Sequence, residues 1–135
     1  MADIFVSHSK QDRKVAQTVA EFLEGQGWTV WWDKTALSDH DRHNTSMAEL
    51  GAAQLVIVIW SKSSVSAAFV LQEAIAARDA NKLMHVTNSA AQARDIPVRR
   101  RNEPLLDASD LLQIALAVSS FMRKRERRPK SPPRE

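Results

Sequence analysis

Glu73 is the residue in this chain whose type and setting most invite chemistry. It sits in Phe69-Val70-Leu71-Gln72-Glu73-Ala74-Ile75-Ala76-Ala77 and is the sole acid between Glu49 and Asp79. Phe69 precedes it by one helical turn and shares its face. A carboxylate among apolar neighbours can be desolvated and oriented for reaction. The ordinary reading of a lone helical glutamate is a solvent-facing one, so this pattern needs support from elsewhere. A second group of reactive types is Ser7-His8-Ser9-Lys10, and a third is Asp33 after three tryptophans. His40 and His43 lie among Asp39 and Asp41 in a stretch read as a solvated polar loop, and no metal site is expected there.

The excluded chemistries narrow the field. The chain lacks cysteine, which removes thiol nucleophiles and thiolate metal sites. It has neither GxxxxGK[ST] nor GxGxxG, so a P-loop nucleotidase and a dinucleotide dehydrogenase are both disfavoured. A phosphoacceptor receiver domain needs acids after the first strand and an aspartate after the third. Ser7-His8-Ser9 and Trp60-Ser61 stand there instead.

The elements that must position these residues follow from periodicity. Asp3–Ser7 reads as a strand, and Ser9-Lys10-Gln11-Asp12 as a capping-box-like helix start. Val15, Val19, Phe22 and Leu23 mark one helix face, and Gly25-Gln26-Gly27 ends it. Trp28–Trp32 is the second strand, with Trp28, Val30 and Trp32 on one side and Trp31 on the other. Residues 34–46 read as a loop leading to a short helix around Met47–Ala53. Leu55–Trp60 is an unbroken apolar run, as in a strand buried on both faces. Val65–Ala80 reads as a helix, Leu83–Thr87 as a strand and Leu105-Leu106 as a short fifth strand. Asp107 and Asp110 bracket the start of a last helix whose inner face is Leu111, Ala115, Val118 and Met122.

Alternating strands and helices predict a parallel sheet covered on both faces. The flavodoxin-like order 2-1-3-4-5 is the natural topology under right-handed crossovers. Ligands in such sheets bind beyond the carboxyl ends of the strands, which is where Ser7–Lys10, Asp33–Ser46 and Ser61–Ser66 would fall.

Charge and length bound the rest. The 135 residues carry a formal net charge of +3. Residues 123–135 hold seven Lys/Arg and two Glu, net +5, while residues 1–122 hold twelve and fourteen, net −2. The reading is one domain over 1–122 and a basic, proline-rich disordered tail over 123–135. Nucleic acid is then expected to bind only weakly, through the tail. No apolar run is long enough to cross a membrane, and a cytoplasmic setting is expected.

Asp3-Ile4-Phe5-Val6-Ser7-His8-Ser9 resembles the opening box of Toll/interleukin-1 receptor (TIR) domains. Gly27-Trp28-Thr29-Val30-Trp31-Trp32-Asp33 is similar to the family's second strand, especially in bacterial members. Leu55–Ser61 followed by Ser64 looks like its third strand and serine-rich exit, and Phe69-Val70-Leu71-Gln72-Glu73 resembles its Trp-x-x-x-Glu element. The resemblance covers about residues 3–88, and 89–122 by element order alone. It implies a flavodoxin-like fold and one of two roles. One is cleavage of NAD+ at the nicotinamide–ribose bond, with NAD+ as substrate and no resident cofactor. The other is a non-catalytic module that binds other TIR domains. Glu73 takes the position of the family's catalytic glutamate, and Phe69 that of the aromatic wall before it. His8, Ser9 and Lys10 take the positions of substrate-contacting residues, and Asp33 that of the acid closing the second strand. Residues 34–46 match the family's assembly loop, which contacts neighbouring TIR domains. Here that loop carries Asp39-His40-Asp41-Arg42-His43 without the usual glycine and proline.

Overall fold

The computed structural model describes residues 2–33, 39–62, 64–88, 96 and 103–127. Five strands form one parallel sheet: β1 Ile4–Ser7, β2 Val30–Trp32, β3 Leu55–Trp60, β4 Leu83–Thr87 and β5 Leu105–Asp107. Their order is β2-β1-β3-β4-β5, the one expected. The helices are α1 Arg13–Gly25, α2 Asp39–Ala52, α3 Ala68–Asp79 and α4 Leu111–Arg127.

The sheet's two faces can be read from alternate residues of β3. Leu55, Ile57 and Ile59 pack with Ala16, Val19 and Leu23 of α1 and with Ile114, Val118 and Met122 of α4. Val56, Val58 and Trp60 pack with Leu50 of α2 and with Val70, Ala74 and Ala77 of α3. All six β3 residues are buried, which explains why this run lacks polar alternation. β1 repeats the pattern, with Ile4 and Val6 on the first face and Phe5 on the second. β2 begins at Val30, two residues later than expected, and the tryptophans at and before it divide as the alternation predicts. Trp28 and Trp32 join the α1/α4 side, while Trp31 stacks on Phe5 at 4.9 Å on the other.

Helix ends follow local chemistry. Gly27, at φ +107°, takes the left-handed turn that releases the chain from α1 into β2. Asp110 caps α4 by accepting from the Gln113 amide at 3.2 Å. Asp107 accepts from both the amide and the hydroxyl of Ser109, at 2.8 and 2.7 Å, and so fixes the β5–α4 turn.

Four sequence expectations change. Residues 39–46 are the first turns of α2 rather than loop, and 34–38 lie outside the described residues. Their polar composition hid the helix. A helix anchored by one packed half extends through polar residues because each added residue costs little once the nucleus exists. Lys82 supplies part of that anchor. Its Nζ donates to the carbonyls of Leu50 and Ala53, each at 2.7 Å, at the C-terminal end of α2. The helix expected at Val65–Ala80 starts later, because a 3₁₀ turn occupies Ser64–Ser66 and Ala67 is extended. Ser9 does not cap a helix through its side chain, and its hydroxyl bonds to Asp12 instead. α4 also runs to Arg127, beyond the boundary at residue 122, and 128–135 lie outside the described residues.

Candidate functional site

β1 ends in Ser7, which shares a side with Phe5 and therefore faces the α2/α3 layer. α3 leaves the exit of β3 and runs back over that layer, bringing Glu73 to the end of β1. The Ser7 hydroxyl donates to Glu73 Oε1 at 2.6 Å. Glu73 is 4% exposed and Ser7 is 1% exposed, so a carboxylate is held beneath the surface by a hydroxyl from the neighbouring layer. The ordinary expectation of a solvent-facing glutamate therefore does not hold here.

The other residues singled out in the sequence divide by exposure. His8, Ser9 and Asp33 are buried, Phe69 is partly buried against the α2/α3 core, and Lys10 is exposed. The His8 ring approaches Trp32 with centroids 6.1 Å apart. His8 Nδ1 lies 2.8 Å from the Ser9 carbonyl, which can only accept, so Nδ1 carries the proton. Phe69 stands one turn before Glu73 on α3. Asp33 directly follows Trp32, whose backbone pairs with Val6 of β1. His8, Ser9 and Asp33 thus follow the exits of β1 and β2, and Glu73 reaches the end of β1 from the middle of α3. No hydrogen bond joins Lys10 to Glu73 among the described residues.

Two side chains at this edge carry more of the geometry than the sequence reading gave them. Ser7 holds Glu73. Asp12 lies in the 3₁₀ turn after β1 and accepts from Ser9 Oγ at 2.9 Å, from Ser61 Oγ, and from Asn88 Nδ2 at 3.0 Å. The only sequence signal for Asp12 was the capping-box spacing from Ser9. Ser61 and Asn88 are 49 and 76 residues away, beyond any local pattern.

His85 in β4 is a second buried polar group, on the same helix layer as Trp60. The Trp60 indole N–H donates to His85 Nδ1 at 3.0 Å. An indole donates only, so Nδ1 accepts and the proton sits on Nε2, which donates to Glu103 at 3.0 Å. Trp60 is fully buried core. Among the described residues no group of three or more His, Asp or Glu is placed to hold a metal ion. No helix among them is long and apolar enough to cross a membrane.

Comparison with known proteins gives the family. Among solved structures, the chain is similar to a TIR-STING receptor from C. gigas in complex with 2',3'-cGAMP, with TM-score 0.73 and 17% identity. That match covers 88% of this chain but only 40% of the receptor chain. The TIR domain of the Toll-related receptor TRR-2 from Hydra magnipapillata matches at TM-score 0.68 and 13% identity, covering 92% of this chain and 98% of that one. The TIR domains of the activated Roq1 resistosome, which recognises the pathogen effector XopQ, match at TM-score 0.53 and 18% identity, covering 93% and 76%. At these identities the likeness is one of fold. No curated protein sequence matches. The TIR-domain family model matches residues 4–127, nearly the whole described fold, and the chain belongs to the TIR-domain family.

Proposed function

We propose that this TIR domain cleaves NAD+ between nicotinamide and ribose, with Glu73 as the catalytic carboxylate. The observation that carries this reading is the Ser7–Glu73 hydrogen bond at 2.6 Å, which orients a buried carboxylate at the strand ends. In the reaction the bond from ribose C1′ to the nicotinamide nitrogen breaks, and its electron pair leaves with the nitrogen. Nicotinamide departs neutral, so no general acid is needed. Positive charge develops on the ribose as in glycoside cleavage. A carboxylate fixed in advance stabilises that charge without reorganising. Water then adds to C1′ and releases a proton, giving nicotinamide and ADP-ribose.

The other residues have supporting roles in this proposal. Phe69 is the wall beside the departing ring, and Lys10, as the exposed cation at the rim, attracts the pyrophosphate. His8, Ser9 and Asp33 shape the sugar side. With Glu73 at 4% exposure, substrate entry requires the covering layer to move, and assembly through the 34–46 segment is the proposed trigger. Wild-type protein should release nicotinamide from NAD+ at a rate per molecule that rises with protein concentration. The absence of release even in concentrated or crowded solution would remove the enzymatic reading.

A second reading is an assembly module without catalysis. It is favoured by Leu112 and Leu116, which lie one turn apart on α4 at 66% and 54% exposure. Two large apolar side chains on one helix face suit a protein contact. This reading predicts association with no nicotinamide release.

A further inference from the structure

The carboxyl edge of the sheet contains a buried acid that the proposed reaction does not use. Asp12 is 3% exposed, yet its partners among the described residues are all neutral: the hydroxyls of Ser9 and Ser61 and the amide of Asn88. Burying a carboxylate is costly unless its oxygens are satisfied. Here Oδ2 takes both hydroxyls and Oδ1 takes the amide.

Each partner comes from a different strand exit. Ser9 follows β1, Ser61 follows β3 and Asn88 follows β4. Each exit is also pinned by a backbone bond nearby. The Asp12 amide donates to the Ser9 carbonyl at 3.0 Å, and the Asn88 amide to the Trp60 carbonyl at 2.7 Å. The Ser61 amide donates to Ser64 Oγ at 2.7 Å, and the Val65 amide to the Ser61 carbonyl at 3.1 Å. The β3 exit therefore passes Asp12's hold to the 3₁₀ turn Ser64–Ser66, which leads directly into α3 and Glu73. The β1 exit passes it to Ser7, the hydroxyl that Glu73 accepts from.

We propose that Asp12 is a positioning residue that clamps the exits of β1, β3 and β4, and so sets the register between Ser7 and Glu73. The clamp also fixes hydroxyl polarity. Ser9 and Ser61 spend their protons on Asp12, so each can meet a further group only as an acceptor. The role in catalysis rests on the NAD+ reading above, while the clamp itself does not.

The test joins two readouts on the full chain. Hydrogen exchange is followed in wild type, Asp12→Asn and the milder Ser61→Ala. Val118→Ala, on the buried face of α4, is the control for general loss of stability. The expected result for Asp12→Asn is at least tenfold faster exchange in segments 7–12, 60–66 and 86–88 together, with the amides of α1 and α4 unchanged. Ser61→Ala should show the same pattern at smaller amplitude, and remains informative if Asp12→Asn folds poorly. Faster exchange confined to 9–12, or spread evenly as in the control, would overturn the clamp.

The second readout is nicotinamide release per folded molecule. The expected change for Asp12→Asn is a tenfold or greater fall in kcat with KM within threefold, and Ser61→Ala should follow in the same direction. Normal kcat in a variant that shows the three-segment exchange pattern would overturn the positioning role. A silent wild type would remove the NAD+ reading, while the exchange pattern would still decide the clamp.

Discussion

The Ser7–Glu73 contact is where sequence and site meet most directly. Ser7 is the last residue of β1, and alternation along the strand turns it toward α3. Glu73 was legible from its isolation among apolar residues and from the family resemblance. Its partner was not, because a contact between residues 66 apart leaves no local pattern. Removing the hydroxyl should loosen the carboxylate without unfolding the chain. Ser7→Ala is expected to lower nicotinamide release about tenfold, matching roughly 1.5 kcal/mol for one hydrogen bond to a charged group. Unchanged release would mean that Glu73 is held by other contacts. His85 illustrates the same limit. Its partners Trp60 and Glu103 come from another strand and from the approach to β5.

At the scale of elements, β3 was legible to the residue because burial on two faces imposes a strong pattern, while β2 is two residues shorter than expected. β3 and β4 coincide with the expected runs at Leu55–Trp60 and Leu83–Thr87. α2 was not legible, because its first turns hold no apolar stripe and its stabilising cap comes from Lys82, in the connection between α3 and β4. Lys82→Met should leave the Leu50 and Ala53 carbonyls without that donor. The expected cost is about 2 kcal/mol, read as a lower urea midpoint with an unchanged slope. A change below roughly 0.5 kcal/mol would mean that water replaces the ammonium there.

The β5–α4 turn supplies a test by pH. The Ser109 hydroxyl, and then its amide, hold the Asp107 carboxyl below its usual range. A lowered folded value means that this stabilisation is present above the unfolded carboxylate range. It is lost as pH falls through the lowered value. The difference in melting temperature between wild type and Asp107→Ala should therefore shrink as the solution is acidified. A difference that grows in acid would contradict the assignment. The group is largely exposed, so the effect should be small and weaken with salt.

The whole molecule is a TIR domain with a slightly acidic first 122 residues and a basic end, part of which continues α4 to Arg127. Splitting the charge showed that the high overall basicity does not describe the sheet and its site. The composition did not reveal that α4 crosses the boundary, because arginine and lysine serve a helix as well as a tail. Leu112 and Leu116 are the large apolar side chains most exposed on α4. Replacing both with aspartate should leave stability within about 0.5 kcal/mol, as for other exposed positions. It should also reduce self-association in sedimentation velocity. Association that survives the double change would place the contact elsewhere, with the 34–46 segment the next face to alter.

In the proposed reaction Glu73, held by Ser7, performs the cleavage. Its most direct measurement is nicotinamide release from NAD+ by wild type and Glu73→Ala, at matched concentration and matched folded fraction. The expected result is release by wild type and a loss of at least a hundredfold in the variant, about 2.7 kcal/mol of transition-state stabilisation. Equal release by the two proteins, or none from wild type, would contradict it.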